Sequence, residues 1–77
     1  MVRGFVLIST KANEEKAVMT RLKRLKEVLH VNILYGEWDI IAEVEVEDFS
    51  GVFQFVTDEI RIIPGIVDLK TLTCIKG

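Results

Sequence analysis

The residues best placed to do chemistry are Gly36-Glu37-Trp38-Asp39. They stand between two apolar, β-branched runs, Val31-Asn32-Ile33-Leu34-Tyr35 and Ile40-Ile41-Ala42-Glu43-Val44-Glu45-Val46. Both runs read as strands, so the four residues form the tip of a hairpin. Glycine supplies the positive φ that a tight connection needs. The Asp39 carboxylate can accept hydrogen bonds from an ammonium group or from the backbone N–H groups of its own turn. Trp38 offers an aromatic face to a ligand or to a subunit contact. The residues alone leave both pairs of readings open.

Elsewhere the chemistry is sparse. His30 is the only histidine and has no visible base or nucleophile beside it, so it reads as a surface or loop residue. Cys74 is the only cysteine and reads as a small buried residue, which excludes an internal disulfide. No Cys/His spacing suits a metal, and no nucleophile–base pair or phosphate loop is present. Neither catalysis nor a cofactor is therefore expected. With 10 basic against 12 acidic residues and a formal charge of −2, broad attachment to nucleic acid is not expected either. The cations Arg21, Lys23, Arg24 and Lys26 read as a solvated helix face.

The elements that position these residues follow from pattern. Val2–Ser9 is a first strand, rich in Val, Phe, Leu and Ile. Asn13 ahead of Glu14 and Glu15 suits an N-cap followed by carboxylates at the positive end of a helix. Val18, Leu22, Leu25 and Leu29 form its apolar stripe, and the helix is expected to end near Lys26 or Glu27. The hairpin strands run from Val28 or Leu29 to Tyr35 and from Asp39 to Val46. Asp48 and Ser50 offer cap oxygens for a second helix, whose core stripe is Phe49, Val52 or Phe53, Val56, Ile60 and Ile63. Pro64-Gly65 stops it, and Ile66–Ile75 is the last strand. The order β-α-β-β-α-β predicts an α+β, ferredoxin-like fold: a four-stranded antiparallel sheet with two helices on one face. One domain over 1–77 accounts for the chain.

The uncovered face of such a sheet carries Phe5, Leu7, Leu34 and Ile41 beside charged residues. A chain of 77 residues leaves roughly 40% of its unfolded surface exposed and is marginal alone. Burying those four side chains against a second copy would contribute about 1.5–3 kcal/mol each. A homo-oligomer, with a dimer through sheet faces, is the expectation. No run of about 18 apolar residues spans a membrane, and no signal peptide leads the chain. A cytoplasmic protein is expected.

Taken in order, Phe5-Val6-Leu7-Ile8, Gly36-Glu37-Trp38-Asp39 and Ile63-Pro64-Gly65-Ile66, ahead of a threonine-bearing strand, resemble the effector-binding (RAM) domain of the Lrp/AsnC feast/famine transcription regulators. The family's hairpin pattern is glycine, any residue, aromatic, aspartate, and all three fixed positions match. The resemblance covers essentially the whole chain. It implies sheet-packed dimers, assembled further into rings of dimers, with amino-acid effectors bound between subunits. It also implies mixed assembly with full-length regulators of the family, or free-standing amino-acid binding. Those regulators carry an N-terminal DNA-binding domain; this chain starts at the first strand and is expected to be a stand-alone module that modulates transcription indirectly. The implied effector-binding residues are Gly36, Glu37, Trp38, Asp39, Pro64, Gly65 and Thr71. Thr71 matches the second hydroxyl position of the last strand, whereas Leu69 occupies the earlier one, a departure that shifts the expected ligand toward an apolar one.

Two other functions share this topology. RNA-recognition folds place two or three aromatics on central strands in a basic surround; here Phe5 stands alone among them, near Glu43 and Glu45. An acylphosphatase-like enzyme needs an arginine-bearing anion cradle, and the loop Ser9-Thr10-Lys11-Ala12-Asn13 has neither glycine nor arginine. Fold alone does not decide between them.

Overall fold

Alternation of apolar and polar residues along the first strand decides which side of the sheet is covered. In a computed structural model that describes residues 1–73, β1 (Val2–Thr10) is central, and Gly4, Val6 and Ile8 face inward along it. The helix α1 (Glu15–Lys23) follows, then β2 (Val28–Ile33), β3 (Ile40–Val46), α2 (Phe49–Phe55), a π-helical turn over Val56–Ile60, and β4 (Ile66–Thr73). The four strands are antiparallel in the order β2-β3-β1-β4. This is the expected ferredoxin-like arrangement.

The register places Gly4, Val6 and Ile8 opposite Val44, Ala42 and Ile40. Those strand residues, with Val18 and Leu22 of α1 and Val52, Phe55, Val56, Ile60 and Ile63 of the second helical segment, make one buried core. Both helices therefore lie on one face. Gly4 serves close approach: a Cβ there would lie 2.8 Å from Val52 Cγ1, so α2 sits nearer the sheet than alanine allows. Arg3, Phe5, Leu7, Ile41, Glu43, Glu45 and Leu72 fall on the other face, where Arg3 pairs with Glu43 at 3.2 Å and Glu45 at 3.5 Å. No helix among the described residues is long and apolar enough to cross a membrane.

Several boundaries differ from the sequence pattern. The helix α1 stops at Lys23, short of Lys26. Arg24 N–H donates to the Arg21 carbonyl at 3.2 Å, and Leu25 N–H to that of Leu22 at 3.1 Å, three-residue turns that wind the chain off the helix. Leu25 still packs on the core, but Leu29 belongs to β2 and is 38% exposed. Asn13 is not the N-cap: it takes φ 68° in the preceding turn, and Glu14 caps without a side-chain bond. Asp48 is the cap of α2, its Oδ1 accepting from Gly51 N–H at 2.8 Å, while Ser50 lies inside the helix and donates to the same oxygen.

Phe49 and Phe53 turn outward, and Val52 takes the core position with Phe55. The π turn explains the neighbouring pair Phe55 and Val56. Arg61 N–H donates to the Val56 carbonyl at 2.8 Å, and that wider loop lets Phe55, Val56 and Ile60 all face inward. Tyr35 lies outside β2 and is fully exposed. The last strand runs to Thr73; Cys74 and Ile75 lie outside the described residues.

Candidate functional site

The hairpin tip is built by strand pairing that ends one step before it. Ile33 and Ile40 are the last paired residues of β2 and β3, leaving Leu34–Asp39 as the connection. Gly36 adopts φ 133°, a region that glycine populates freely, and a Cβ there would meet nothing within 4 Å. Its role is conformational. Glu37 is exposed and Trp38 is half-buried.

Asp39 is held by three hydrogen bonds. Its N–H donates to the Ile8 carbonyl at 2.9 Å, and its carbonyl accepts from Leu34 N–H at 2.8 Å. Its Oδ2 accepts from Thr10 N–H at 2.8 Å, tying the hairpin to the far end of β1. The carboxylate is thus a backbone acceptor, one of the two roles its type allowed. Its second oxygen, Oδ1, makes no hydrogen bond among the described residues. The hydroxyl of the same Thr10 is buried, and it has no partner among the described residues. Buried polar groups are nearly always paired. Sequence reasoning missed Thr10 because its partner stands 29 positions away.

Pro64 and Gly65 come to the same end of the sheet. The Gly65 carbonyl accepts from Lys11 N–H at 2.8 Å, one residue beyond the Asp39–Thr10 bond. Gly65 has φ 100°, and a Cβ there would fall 2.6 Å from Glu14 Oε1 and 3.2 Å from Val18 Cγ2. The turn therefore needs glycine twice, for its conformation and for the start of α1 that packs over it.

Thr71 is elsewhere. It pairs with Val6, on the helix-bearing side, four residues along β1 from Thr10 and so roughly 13 Å away at about 3.3 Å per residue. Within one copy, Gly36, Glu37, Trp38, Asp39, Pro64 and Gly65 gather at one end and Thr71 does not join them. Leu69 pairs with Ile8 and packs against the core. A groove of about 640 Å³ lies at the opposite end of the sheet, between Glu27, Glu45, Glu47, Asp58 and Glu59. Among the described residues no group of three or more His, Cys, Asp or Glu is placed to hold a metal ion.

Comparisons with known proteins agree with the fold. The family model described as the Lrp/AsnC ligand binding domain matches residues 3–77. The crystal structure of FFRP-DM1 is similar at 37% identity and TM-score 0.91, over 97% of this chain and 100% of that one. The hypothetical protein PHS023 from Pyrococcus horikoshii is similar at 36% identity and TM-score 0.89, over 100% of this chain and 93% of that one. A transcriptional regulator from Neisseria meningitidis, NMB0573, solved as an L-Met complex, shares the fold at 22% identity and TM-score 0.84, over 97% of this chain and 50% of that one. A comparison with curated protein sequences found no match.

Proposed function

The chain belongs to the Lrp/AsnC ligand-binding domain family, and from that premise we propose that it binds an amino acid at the hairpin end of the sheet, between copies packed through their open faces. The observation that carries this reading is the Asp39–Thr10 pair. A carboxylate oxygen is fixed there by the Thr10 N–H, the other oxygen makes no hydrogen bond among the described residues, and the Thr10 hydroxyl is buried without a partner among them. Asp39 Oδ1 takes the ligand ammonium, a charge-assisted hydrogen bond. Gly36 sets the hairpin, Glu37 and Trp38 line its tip, and the backbone of Pro64 and Gly65 borders it. Thr71 lies on the helix-bearing side and too far along the sheet from Asp39 to serve the same ligand from within one copy. Phe5, Leu7, Ile41 and Leu72 on the open face supply the contact between copies, at about 1.5–3 kcal/mol for each side chain fully buried.

Ligand binding reaches transcription through mixed assembly with full-length regulators of the family. The Neisseria meningitidis relative was solved with L-Met; for this chain an apolar amino acid such as L-methionine is the first probe. A thermal-shift screen over the twenty amino acids at millimolar concentration tests the reading. A ligand at about ten times its Kd adds roughly 1.4 kcal/mol of stability, a rise of several degrees in Tm for a domain of this size. A flat response to all twenty sinks the sensor role.

A further inference from the structure

The outer face of α1 is charged with one sign only. Val18 and Leu22 are buried in the core, which turns Lys16, Ala17, Thr20, Arg21, Lys23 and Arg24 to solvent. Two arginines and two lysines stand among those six residues, and no carboxylate does. Solvated helices commonly interleave opposite charges three or four positions apart, which supports the helix. Within α1 no carboxylate stands at that spacing from any of the cations, and Arg21 faces Arg24 instead. The ion pairs among the described residues are those of Arg3, so none of the α1 cations is neutralised by one.

The helix dipole accounts for part of this pattern. Arg21 and Lys23 lie in the last turn, at the negative end, where cations are favoured. Lys16 lies in the first turn, at the positive end, where a cation is not favoured. The net charge of −2 does not describe this face either. Glu14 and Glu15 bound it at one end and Glu27 at the other, and the remaining carboxylates gather elsewhere. Glu45, Glu47, Asp58 and Glu59 line the groove that Lys26 and Glu27 border. Exposed charges more than about 10 Å apart are largely screened at 0.1 M salt, so a ligand at α1 meets the local cations first.

We infer that the outer face of α1 docks on the phosphate backbone of duplex DNA, through Lys16, Arg21, Lys23 and Arg24. Charge complementarity carries this choice, because duplex DNA presents one negative charge per roughly 1.7 Å of axis. A membrane-surface helix needs an apolar side to insert, and the apolar side of α1 is buried in the core. Protein interfaces centre on a desolvated apolar or aromatic anchor, whereas Ala17 and Thr20 offer this face only methyl groups. Single-strand binders stack bases on aromatic rings, and α1 has none. Neither Asn nor Gln stands on the face to read a base edge, and Thr20 Oγ1 donates to the Lys16 carbonyl at 2.9 Å. The small side chains at 17 and 20 let the flanking cations straddle a phosphate ridge. The contact is local and independent of sequence, unlike the broad attachment that a negative net charge opposes.

Fluorescence anisotropy of a labelled duplex of arbitrary sequence, titrated with the full chain at stepped salt, tests this. Contact through four cations gives log K a slope of about −3.6 against log salt, roughly a 150-fold loss between about 50 and 200 mM. Combining R21Q with R24Q should halve the wild-type slope. Combining R61Q with K70Q removes as much charge away from α1 and should leave the slope unchanged. Lys16→Gln should lower the slope by about a quarter without lowering Tm, since the dipole does not favour a cation there. Should the double glutamine variant fail to fold by circular dichroism, Lys16→Gln decides the matter. No binding at about 50 mM salt with protein near 100 μM overturns the docking, as does an equal loss in the two double variants. Tighter binding to a single strand or to polyglutamate overturns the choice of duplex DNA, and a more than tenfold preference between two unrelated duplexes overturns a backbone contact. No amino acid is present in the titration, so its outcome is separate from that of the hairpin site.

Discussion

Gly4→Ala puts the packing of α2 on β1 to a quantitative test. The added methyl would lie 2.8 Å from Val52 Cγ1 and 3.3 Å from the Leu72 carbonyl oxygen. Overpacking a closed core costs about 1–3 kcal/mol. Replacing glycine inside a strand returns roughly 0.5–1 kcal/mol of chain entropy. The net expectation is a loss of about 1 kcal/mol, or roughly 4–8 °C in Tm for a domain of this size. Val52→Ala removes two methyl groups from a fully buried side chain and should cost about 2 kcal/mol, from transfer at roughly 0.8 kcal/mol per group plus the residual cavity. In the double variant the methyl at position 4 fills space that Val52 vacates. The pair should then be less destabilised than the sum of the singles by about 1 kcal/mol or more. Urea denaturation at one fixed protein concentration gives the cycle, because assembly makes stability concentration-dependent. Additivity within about 0.5 kcal/mol, or a Gly4→Ala variant more stable than wild type, would refute the close-approach argument.

Other positions give sharper single readings. Asp48→Ala loses the α2 cap bond to Gly51 N–H and should cost about 1 kcal/mol by thermal denaturation, with Asp48→Asn nearly neutral. Gly36→Ala and Gly65→Ala share a positive φ, and each should lose about 1–2 kcal/mol to it. Gly65→Ala should lose more, because a Cβ there meets Val18 while one at position 36 meets nothing; equal losses would contradict the packing at Gly65. Arg3→Ala breaks ion pairs to Glu43 and Glu45 that half-exposed side chains make, and it should change chemical stability by less than about 1 kcal/mol, shrinking further in high salt.

The parts of the fold that were legible in sequence are those set by local rules. The alternation Ile40-Ala42-Val44 assigned the faces of β3, Gly36 marked the hairpin, Asp48 the second cap, and Pro64-Gly65 the stop after the second helical segment. What was hidden depends on distance or on backbone choice. The end of α1 has no proline or glycine to mark it, and Leu25 and Leu29 prolong its apolar period by coincidence while one sits in a turn and the other in β2. The π turn carries no compositional mark, and only its burial of both Phe55 and Val56 betrays it. At the site, the hairpin residues were readable as a cluster, but the bond that fixes Asp39 comes from Thr10, far away in the chain. The separation of Thr71 from that cluster is a matter of strand register, which a sequence pattern does not specify residue by residue.

The central claim is that Asp39 holds an amino-acid ammonium through its free oxygen. Calorimetry with L-methionine, or with the strongest amino acid from the thermal screen, on wild type and Asp39→Ala tests it most directly. Losing a charge-assisted bond costs about 1.5–3 kcal/mol, roughly a ten- to hundredfold weakening. The variant should keep the assembly mass of the wild type, since apolar contacts rather than this carboxylate join the copies. Affinity unchanged in a variant of unchanged mass would contradict the claim and leave Asp39 as a residue that only ties the hairpin to β1.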